Sequence, residues 1–396
     1  MAAVIIEALR TPRGIAKPTG ALHPVKPVDL LAGVFRAMRE RLELDTALVE
    51  DAVVGCVTQT GEQGGNVGKT AALVAGWSPT VSAATINRYC ASGLSALNWA
   101  ALQAGSGDSV VAAGGVEMMS RVPMLSDNAP LYADPEISAL AGFLPLPLAA
   151  DIVATREGIS RADCDRYAAL SQGRAAAAAG QGLFARSIVP VRDRDGRVLL
   201  EHDETIRPAT TEASLAALKT VYEDGAKGLD AEALRRNPDL SRIEHVHTVG
   251  NAPCMADGAA LAIVASERRA REAGLVPRAR ILAGVDGASS GGLSGDIAAS
   301  RKALSRAGLT VSDIDLFEVR DSFAAPTIHY LRAMGISLDR FNVNGSSIAL
   351  GHPLGATGIM LVATLVDELE RRGARYGLAA ITGAMGLASA IVVERC

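Results

Sequence analysis

Short runs rich in β-branched residues alternate along the chain with longer, alanine-rich amphipathic stretches. The first members of this series are residues 4–6, 28–42, 52–54, 70–75 and 92–103. This alternation is typical of α/β domains that contain much parallel sheet. At roughly 150 residues per domain, a chain of 396 residues is expected to form two or three lobes.

Two segments of the chain share a layout. Cys90 precedes a predicted helix and strand spanning 92–113, and His352 precedes a similar pair spanning 355–381. A duplicated unit explains the likeness, although any two βαβ units share this arrangement. Glycine is abundant, with 40 residues, and aromatic residues make up only 4%. We therefore expect helices that touch closely through small side chains.

A long insertion is predicted between these segments. Residues 122–249 are rich in proline and polar turns, and they contain an alanine-rich predicted helix at 161–180. The Asp-Gly pair at 195–196 predicts a hairpin that joins 188–191 to 198–200. We interpret this region as an insertion carried by the first lobe.

Charge and hydropathy exclude several classes of function. Lys and Arg total 39 against 43 Asp and Glu, a net charge of −4, so no overall basic field gathers nucleic acid or anionic lipid. The longest nearly apolar stretch, residues 143–154, is shorter than the roughly 18 residues of a membrane span. The N-terminus lacks the features of an export signal. We expect a cytoplasmic protein without a membrane span.

The five cysteines lie far apart in the sequence: Cys56, Cys90, Cys164, Cys254 and Cys396. An odd number without close pairs favours reduced thiols over a disulfide framework or a zinc site. We expect no metal site. No nucleotide-binding glycine motif occurs, so nicotinamide or ATP binding has no support.

Cys90 follows a β-prone run at 81–86 and directly precedes a helix. A cysteine at such an elbow lies at the positive end of the helix dipole, which lowers the thiol pKa and favours the nucleophilic thiolate. Its backbone N–H is also a candidate oxyanion donor. The alternative is an inert buried cysteine.

His352 lies in a glycine-rich turn that enters a helix, a poor place for a histidine to fill a core. The small residues around it leave room for an acyl group. A histidine there is suited to activate a thiol or to polarise a thioester carbonyl. The alternative is a structural histidine.

Cys-Ala-Ser-Gly at 90–93 and Gly-His-Pro-Leu-Gly-Ala-Thr-Gly at 351–358 resemble the thiolase family. The resemblance covers essentially the whole chain. Further matches lie at residues 114–120, 165–175, 250–251, 257–260 and 342–345.

The resemblance implies an α/β thiolase fold of two duplicated halves that form a five-layer α/β/α/β/α core, plus an inserted loop domain. The expected boundaries are 1–121 with 246–270 for the first half, 122–245 for the CoA-binding loop domain and 271–396 for the second half. It also implies a homodimer or homotetramer, no covalently bound cofactor, and a coenzyme A thioester as substrate. Cys90 would take the acyl group from the CoA thioester. His352 would activate the Cys90 thiol and help to stabilise the thioester oxyanion. The two acyl-transfer steps would give ping-pong kinetics.

Three motifs depart from the family pattern, and the first two are the Asn-Glu-Ala-Phe motif and the motif of the second cysteine. Arg320 stands where the family's Asn-Glu-Ala-Phe motif has asparagine, and it is expected either to bind a substrate carboxylate or to pair with Asp321 or Glu318. Ala380 stands at the family's second cysteine and has no proton to give or take. Thr382 keeps a backbone N–H for the oxyanion hole, but its hydroxyl cannot replace the thiol.

The third departure lies in the expected wall of the substrate tunnel. Near Asn251, Pro253 stands where the family has a residue that carries both a hydroxyl and a backbone N–H donor, and proline has neither. Phe323 is the last residue of the motif that begins at Arg320. We expect these three residues to contact substrate and to alter its fit. Cys254 is a less favoured replacement for the missing thiol.

The candidates for binding CoA phosphates are basic residues of the predicted loop domain. They are Arg207, Lys219, Lys227, Arg235 and Arg236. The alternative is that each of them is a solvated surface charge. The sequences around Arg207 and Lys219 resemble the family's loop domain, which favours these two residues.

The sequence therefore predicts an acyl-CoA acyltransferase that works through an acyl-Cys90 intermediate, with its Claisen or retro-Claisen chemistry weakened or redirected. Two alternatives remain open. One is an acyltransferase or hydrolase that passes the acyl group to water, a hydroxyl or an amine. The other is a thiolase-like subunit that binds acyl-CoA without catalysis.

Overall fold

The computed structural model describes residues 3–222, 226, 228–290 and 292–396. Lys227, a candidate for CoA binding, lies outside the described residues. The strands are β1 (Ala3–Arg10), β2 (Gly14–Ile15), β3 (Val49–Gly55), β4 (Ser82–Ile86), β5 (Val110–Glu117), β6 (Val191–Arg192), β7 (Val198–Leu200), β8 (Ala256–Ser266), β9 (Ala279–Ala288), β10 (Leu316–Val319), β11 (Tyr376–Thr382) and β12 (Leu387–Arg395).

The helices vary in length from 4 to 20 residues. They are α1 (Pro27–Leu42), α2 (Val67–Val74), α3 (Ser92–Gly107), α4 (Pro130–Ala133), α5 (Pro135–Ala141), α6 (Leu146–Arg156), α7 (Arg161–Gly180), α8 (Glu212–Ala216), α9 (Leu229–Arg236), α10 (Glu267–Glu272), α11 (Gly295–Ala307), α12 (Ala324–Met334), α13 (Ser347–Leu350) and α14 (Leu354–Arg372).

The strands form two groups that meet at one short junction. The order is β10-β11-β12-β9 in one group and β1-β8-β5-β3-β4 in the other. Only residues 3–5 of β1 pair with residues 279–281 of β9. The two groups agree with the two predicted halves, each built around its own helix-flanked sheet.

The prediction of much parallel sheet is only partly right. The pairs β3–β4, β3–β5 and β10–β11 are parallel, whereas β8 and β12 run antiparallel to both of their main-sheet neighbours. In the first half, β8 returns after the insertion to lie between β1 and β5. In the second, β12 follows β11 through a tight turn at 383–386, which makes an antiparallel hairpin.

Helices α3 and α14 lie between the two halves of the sheet. Leu94 and Leu97 of α3 and Ile359 of α14 share one buried cluster with Val111 of β5 and Ile391 of β12. Because β5 and β12 belong to different halves, this cluster is the central layer of the core.

Other helices cover the outer faces of both halves. Phe35 of α1 packs in the cluster of Val54 on β3. Tyr330 of α12 and Ala303 of α11 pack in the cluster of Val319 on β10. The order is therefore helix, sheet, helix, sheet, helix, and the predicted five layers are confirmed.

The two central helices touch through their backbones near their N-termini. A Cβ added at Gly93 would lie 2.4 Å from the carbonyl oxygen of Gly355, and one added at Gly358 would lie 2.1 Å from the backbone nitrogen of Leu94. A Cβ added at Gly115 of β5 would lie 2.1 Å from the same carbonyl oxygen of Gly355. The predicted close contact of helices is confirmed, and it brings the starts of α3 and α14 together.

The inserted segment is bound to the first strand. Arg10 of β1 donates two hydrogen bonds to the carboxylate of Asp203, at 2.7 and 2.8 Å, and both side chains are fully buried. The backbone of Arg10 also exchanges hydrogen bonds with Ser187 and Val189. The predicted hairpin exists, but its first strand is only Val191–Arg192, because the residues before it pair with β1.

Residues 135–156 match a membrane-spanning helix by length and composition, because an 18-residue window within them has a mean hydropathy of 1.8, whereas the sequence predicts no span. The structure divides this stretch into α5 and α6, separated at Gly142, whose φ is +74°. A third of the 18-residue window is buried inside the protein.

We predict opposite effects of alanine at two helical glycines. Gly358→Ala should lower the free energy of unfolding by about 1–3 kcal/mol, because the new methyl group overlaps the backbone of Leu94. Gly33→Ala in α1 has nothing within 4 Å of the new methyl group and should raise it by about 0.5–1 kcal/mol. Denaturant unfolding measures both. Equal effects of the two substitutions would contradict the backbone contact.

Candidate active site

Cys90 lies in a tight elbow between β4 and α3. The residue before it, Tyr89, adopts a φ of +49°, a conformation that side chains of this kind rarely take. The hydroxyl of Ser92 stabilises the elbow by accepting from the backbone of Arg88 at 2.8 Å and donating to the carbonyl of Tyr89 at 2.6 Å. Cys90 is thus held at the N-terminus of the helix, and only 5% of it is exposed.

Burial controls the Cys90 thiol. Desolvation raises its pKa, the charge of Arg320 opposes that effect, and the charge of Glu117 adds to it. The expected lowering of the pKa is wrong for this site, because the sequence does not show how completely the elbow is buried. A base must therefore remove the proton before Cys90 can attack.

His352 is the buried imidazole at the corresponding turn before α14. Its backbone N–H donates to the carbonyl of Cys254 at 2.7 Å, and its Nδ1 shares a hydrogen bond of 2.7 Å with the hydroxyl of Thr357. Nε2 is buried without a partner. When Nδ1–H donates to Thr357, Nε2 carries the lone pair that accepts a proton.

The electrostatics of the site keep this imidazole neutral. Burial lowers the pKa of His352 well below its ordinary value, and the charges of Arg320 and Arg13 lower it further. A neutral imidazole with an unoccupied Nε2 is the form that a general base requires. Thr357 is a positioning partner that the sequence analysis did not single out, although its hydroxyl lies five residues after His352.

Glu117, at the end of β5, connects the loop that follows β3 to the turn before α14. One carboxylate oxygen accepts from the backbone of Gly355 at 3.1 Å and of Val57 at 2.9 Å, and the other accepts from Thr58 at 3.1 Å and Gln63 at 2.9 Å. The bond to Gly355 ties the start of α14 to the end of β5. Glu117 thereby positions the turn that carries His352.

Arg320 is a buried cation with no ion pair among the described residues. It is 2% exposed; its Nη1 donates to the carbonyl of Thr382 at 2.6 Å, and its Nε is buried without a partner. The predicted alternative of a bridge to Asp321 or Glu318 is wrong. The carboxylate of Asp321 turns away and accepts from a separate set of groups on Tyr167, Ser171 and Asn342.

Ala380 and Thr382 lie on β11 beside Arg320. The backbone of Arg320 donates to the carbonyl of Ala380 at 3.0 Å, and Ala380 itself is fully buried. The hydroxyl of Thr382 donates to the carbonyl of Leu387 at 3.3 Å. The next residue, Gly383, touches the elbow, since a Cβ there would lie 3.5 Å from the nitrogen of Cys90. The strand end therefore borders the elbow that carries Cys90.

The predicted tunnel residues occupy the loop before β8 and the start of α12. The buried amide of Asn251 donates to Asp165 at 2.8 Å and accepts from Thr248 at 2.8 Å, so it holds the loop in shape. Pro253 is half-buried next to Cys254. Phe323 is buried with a small cluster whose other buried members are Ala150 and Leu293.

The basic candidates separate into two sets. Arg207 is exposed, and its charge lowers the pKa of the Cys254 thiol against the larger, raising effect of burial. Lys219 is also exposed. Arg235 and Arg236 both pair with Glu232 on the same helix. Arg207 thus lies near the loop whose backbone holds His352.

Asp296, at the start of α11, is a buried carboxyl that the sequence analysis did not identify. Burial raises its pKa to about 7, and the charge of Arg320 opposes this effect. One of its oxygens accepts from the backbone of Ile297 at 3.0 Å. Its polar side chain gave no sign in the sequence of lying in the core. Within the described residues, no group of three or more metal-ligating side chains was found.

Two thiolase family models match the chain. The thiolase N-terminal domain matches residues 3–268, and the thiolase C-terminal domain matches residues 278–395. A 3-ketoacyl-CoA thiolase from Cronobacter sakazakii is 40% identical, with 99% of both chains covered. A 3-oxoadipyl-CoA/3-oxo-5,6-dehydrosuberyl-CoA thiolase and a beta-ketoadipyl-CoA thiolase, both from Escherichia coli, are each 38% identical with the same coverage.

We predict that Asp296→Asn changes how stability depends on pH. Because the folded pKa of Asp296 is raised to about 7 from 3.8, wild-type stability should fall as pH rises between about 4 and 7. Asparagine does not titrate, so the variant does not lose this stability as pH rises. The free energy of unfolding of Asp296→Asn minus that of wild type should therefore be greater at pH 8 than at pH 5, by about 2–3 kcal/mol.

Denaturant unfolding at the two pH values measures the effect. Glu136→Gln removes an exposed carboxylate of α5 and serves as the control, with no comparable change expected. A pH-independent difference between Asp296→Asn and wild type would show that Asp296 does not titrate in this range.

Proposed function

The chain belongs to the thiolase family and is a thiolase-like acyl-CoA acyltransferase, and we propose that it carries the acyl group on Cys90 with His352 as the base. One observation carries this proposal: the start of α3, with its buried thiol, meets the start of α14, with a neutral imidazole whose Nε2 has no partner. A nucleophile and a base converge there in a buried site.

The loading step follows from this arrangement. His352 Nε2 takes the proton of the Cys90 thiol, and the sulfur attacks the carbonyl carbon of the acyl-CoA thioester. The developing oxyanion requires N–H donors, for which the backbone N–H groups of Cys90 and Thr382 are the candidates. The bond to the CoA sulfur then breaks, and the proton returns from His352 to give free CoA.

The second half-reaction decides between the possible activities. Carbon–carbon bond formation or cleavage needs an acid/base at the α-carbon of the other acyl-CoA, and Ala380 supplies none at the family's position. This absence favours a weakened Claisen reaction, or a non-carbon acceptor such as water, a hydroxyl or an amine. A subunit that binds acyl-CoA without catalysis is the alternative in which Cys90 is never loaded.

Substrate binding is proposed from the relatives and the loop residues together. The relatives act, by their names, on 3-ketoacyl-CoA, 3-oxoadipyl-CoA and beta-ketoadipyl-CoA, and we infer 3-oxoacyl-CoA or acyl-CoA thioesters for this chain, with no bound cofactor. Arg207 and Lys219 are the proposed contacts of the CoA phosphates. Asn251, Pro253 and Phe323 are proposed to shape the acyl end of the site.

The organisation of the protein is proposed in the same way. The division into residues 1–121 with 246–270, 122–245 and 271–396 is supported by the two groups of strands and the segment between them. A homodimer or homotetramer is supported by the edge strand β4, beyond which the sheet records no further strand of the described residues. A cytoplasmic location is supported by five free cysteines.

We predict that Cys90→Ala abolishes acyl loading in a folded protein. Intact-protein mass after mixing with acetyl-CoA, acetoacetyl-CoA or longer acyl-CoAs should show one acyl group on wild type, and peptide mapping should place it on Cys90. Cys254→Ala is the matched control and should load normally, since its thiol is directed to the carbonyl of Met255 at 3.7 Å. Full loading of the Cys90→Ala variant would refute the mechanism.

We predict that Arg320→Asn combined with Ala380→Cys raises thiolysis of a 3-oxoacyl-CoA. Together these changes return the family's amide and acid/base thiol, and a positioned acid/base group contributes roughly 10²–10⁴ in rate. Steady-state CoA-dependent cleavage measures the gain, with each single variant as a control. Unchanged thiolysis in a folded double variant would place the cause of weak activity elsewhere.

A further inference from the structure

The described residues of the site contain more unpartnered polar atoms than acyl transfer requires. The buried side-chain atoms without a partner include Nε2 of His352, Nε of Arg320 and the hydroxyl of Ser322. His352 has a role in the proposed loading step. Arg320 and Ser322, which are 2% and 1% exposed, have none.

Arg320 is a cation whose environment provides no anion at contact distance among the described residues. Asp321 is occupied by Tyr167, Ser171 and Asn342, and no ion pair within 4.0 Å joins Arg320 to Asp296 or Glu318. Burying an unpaired guanidinium is costly, and removing one partner of a buried pair typically destabilises a protein strongly. The site is therefore arranged for an anion that arrives with a ligand.

The position of Arg320 indicates which part of the ligand brings that anion. Its guanidinium donates to the carbonyl of Thr382 at 2.6 Å, and the next residue, Gly383, borders the elbow that carries Cys90, so Arg320 belongs to the chamber that receives the acyl group. The charge of Arg320 also acts on Cys90 and His352. The CoA phosphates do not enter that chamber, because the acyl group is the part that reaches the thiol. The anion therefore belongs to the acyl group itself.

A carboxylate fits the two groups better than other anions do. A guanidinium presents parallel N–H donors that match the two oxygens of a carboxylate, and a serine hydroxyl adds a further donor. Nη1 is used by the carbonyl of Thr382 at 2.6 Å, which fixes the plane of the guanidinium and leaves Nε for the ligand.

We propose that the chamber selects acyl groups that carry a carboxylate, which Arg320 and Ser322 bind while the acyl carbonyl lies at Cys90. The substrate class is thus a dicarboxylic acyl-CoA or the corresponding 3-oxoacyl-CoA. This inference rests on the proposed acyl-Cys90 intermediate and adds its specificity.

The test compares loading of Cys90 by acyl-CoAs of equal chain length with and without the carboxylate. The pairs are succinyl-CoA with butyryl-CoA, glutaryl-CoA with pentanoyl-CoA, and adipyl-CoA with hexanoyl-CoA. Rapid-quench intact mass gives each loading rate, and no carbon–carbon chemistry is involved. In wild type, the carboxylate member should load roughly ten- to a hundredfold faster for at least one pair.

Variants assign the preference to Arg320. In Arg320→Gln the ratio of the two rates should fall to about one, and Ser322→Ala should lower it by a smaller factor. Arg320→Lys keeps the charge and should retain part of the ratio. Arg340→Gln is the matched control, because Arg340 also donates to a backbone carbonyl, that of Ile314 at 2.8 Å, and it should leave the ratio at the wild-type value.

Three results would overturn the inference. A wild-type ratio near one for all pairs would exclude carboxylate selection while leaving the acyl-Cys90 mechanism intact. Equal slowing of both members in Arg320→Gln would assign the guanidinium to the thioester carbonyl instead. Loading of neither member by folded wild type would remove the proposed function together with the inference. Melting temperatures of all variants show that each is folded.

Discussion

The contact between the backbones of α3 and α14 is the constraint on which the site depends. Gly93 and Gly358 leave no room for a side chain between the helices, so the two helix starts approach as closely as main chains can. One helix belongs to each half of the core, and the turn before each presents one reactive group. Glu117 of β5 accepts a hydrogen bond from the backbone of Gly355, which holds the turn before α14 against the first half of the core.

Burial then decides the chemistry of the groups that this contact assembles. It raises the pKa of the Cys90 thiol and lowers that of His352, so both groups are neutral before substrate arrives. Arg320 is the exception, because a guanidinium stays charged when buried, and it gives the chamber a permanent positive field.

Much of the local structure was readable from the sequence. The helix predicted at 161–180 is α7, whose start is defined by a capping box between Ser160 and Asp163. The reactive turns were also readable, since Cys90 and His352 each precede a strongly patterned helix. Local capping and helical periodicity carry this information without help from distant residues.

The remainder depends on contacts between distant parts of the chain. The burial of Asp296, and the turning of Asp321 toward Tyr167 rather than Arg320, follow from how strands and helices meet. The pKa of Cys90 was predicted in the wrong direction for the same reason, because desolvation is a tertiary property. The roles of the site residues and the domain boundaries remain predictions.

The attachment of the inserted segment to β1 has a kinetic consequence. Ser187 and Val189 share main-chain hydrogen bonds with Arg10, and Asp203 is held by the same residue from inside the core. The amide of Val189 is therefore expected to exchange its hydrogen only when β1 itself opens. Residues 187–203 are therefore expected to move together with β1 rather than to swing as a hinged lid.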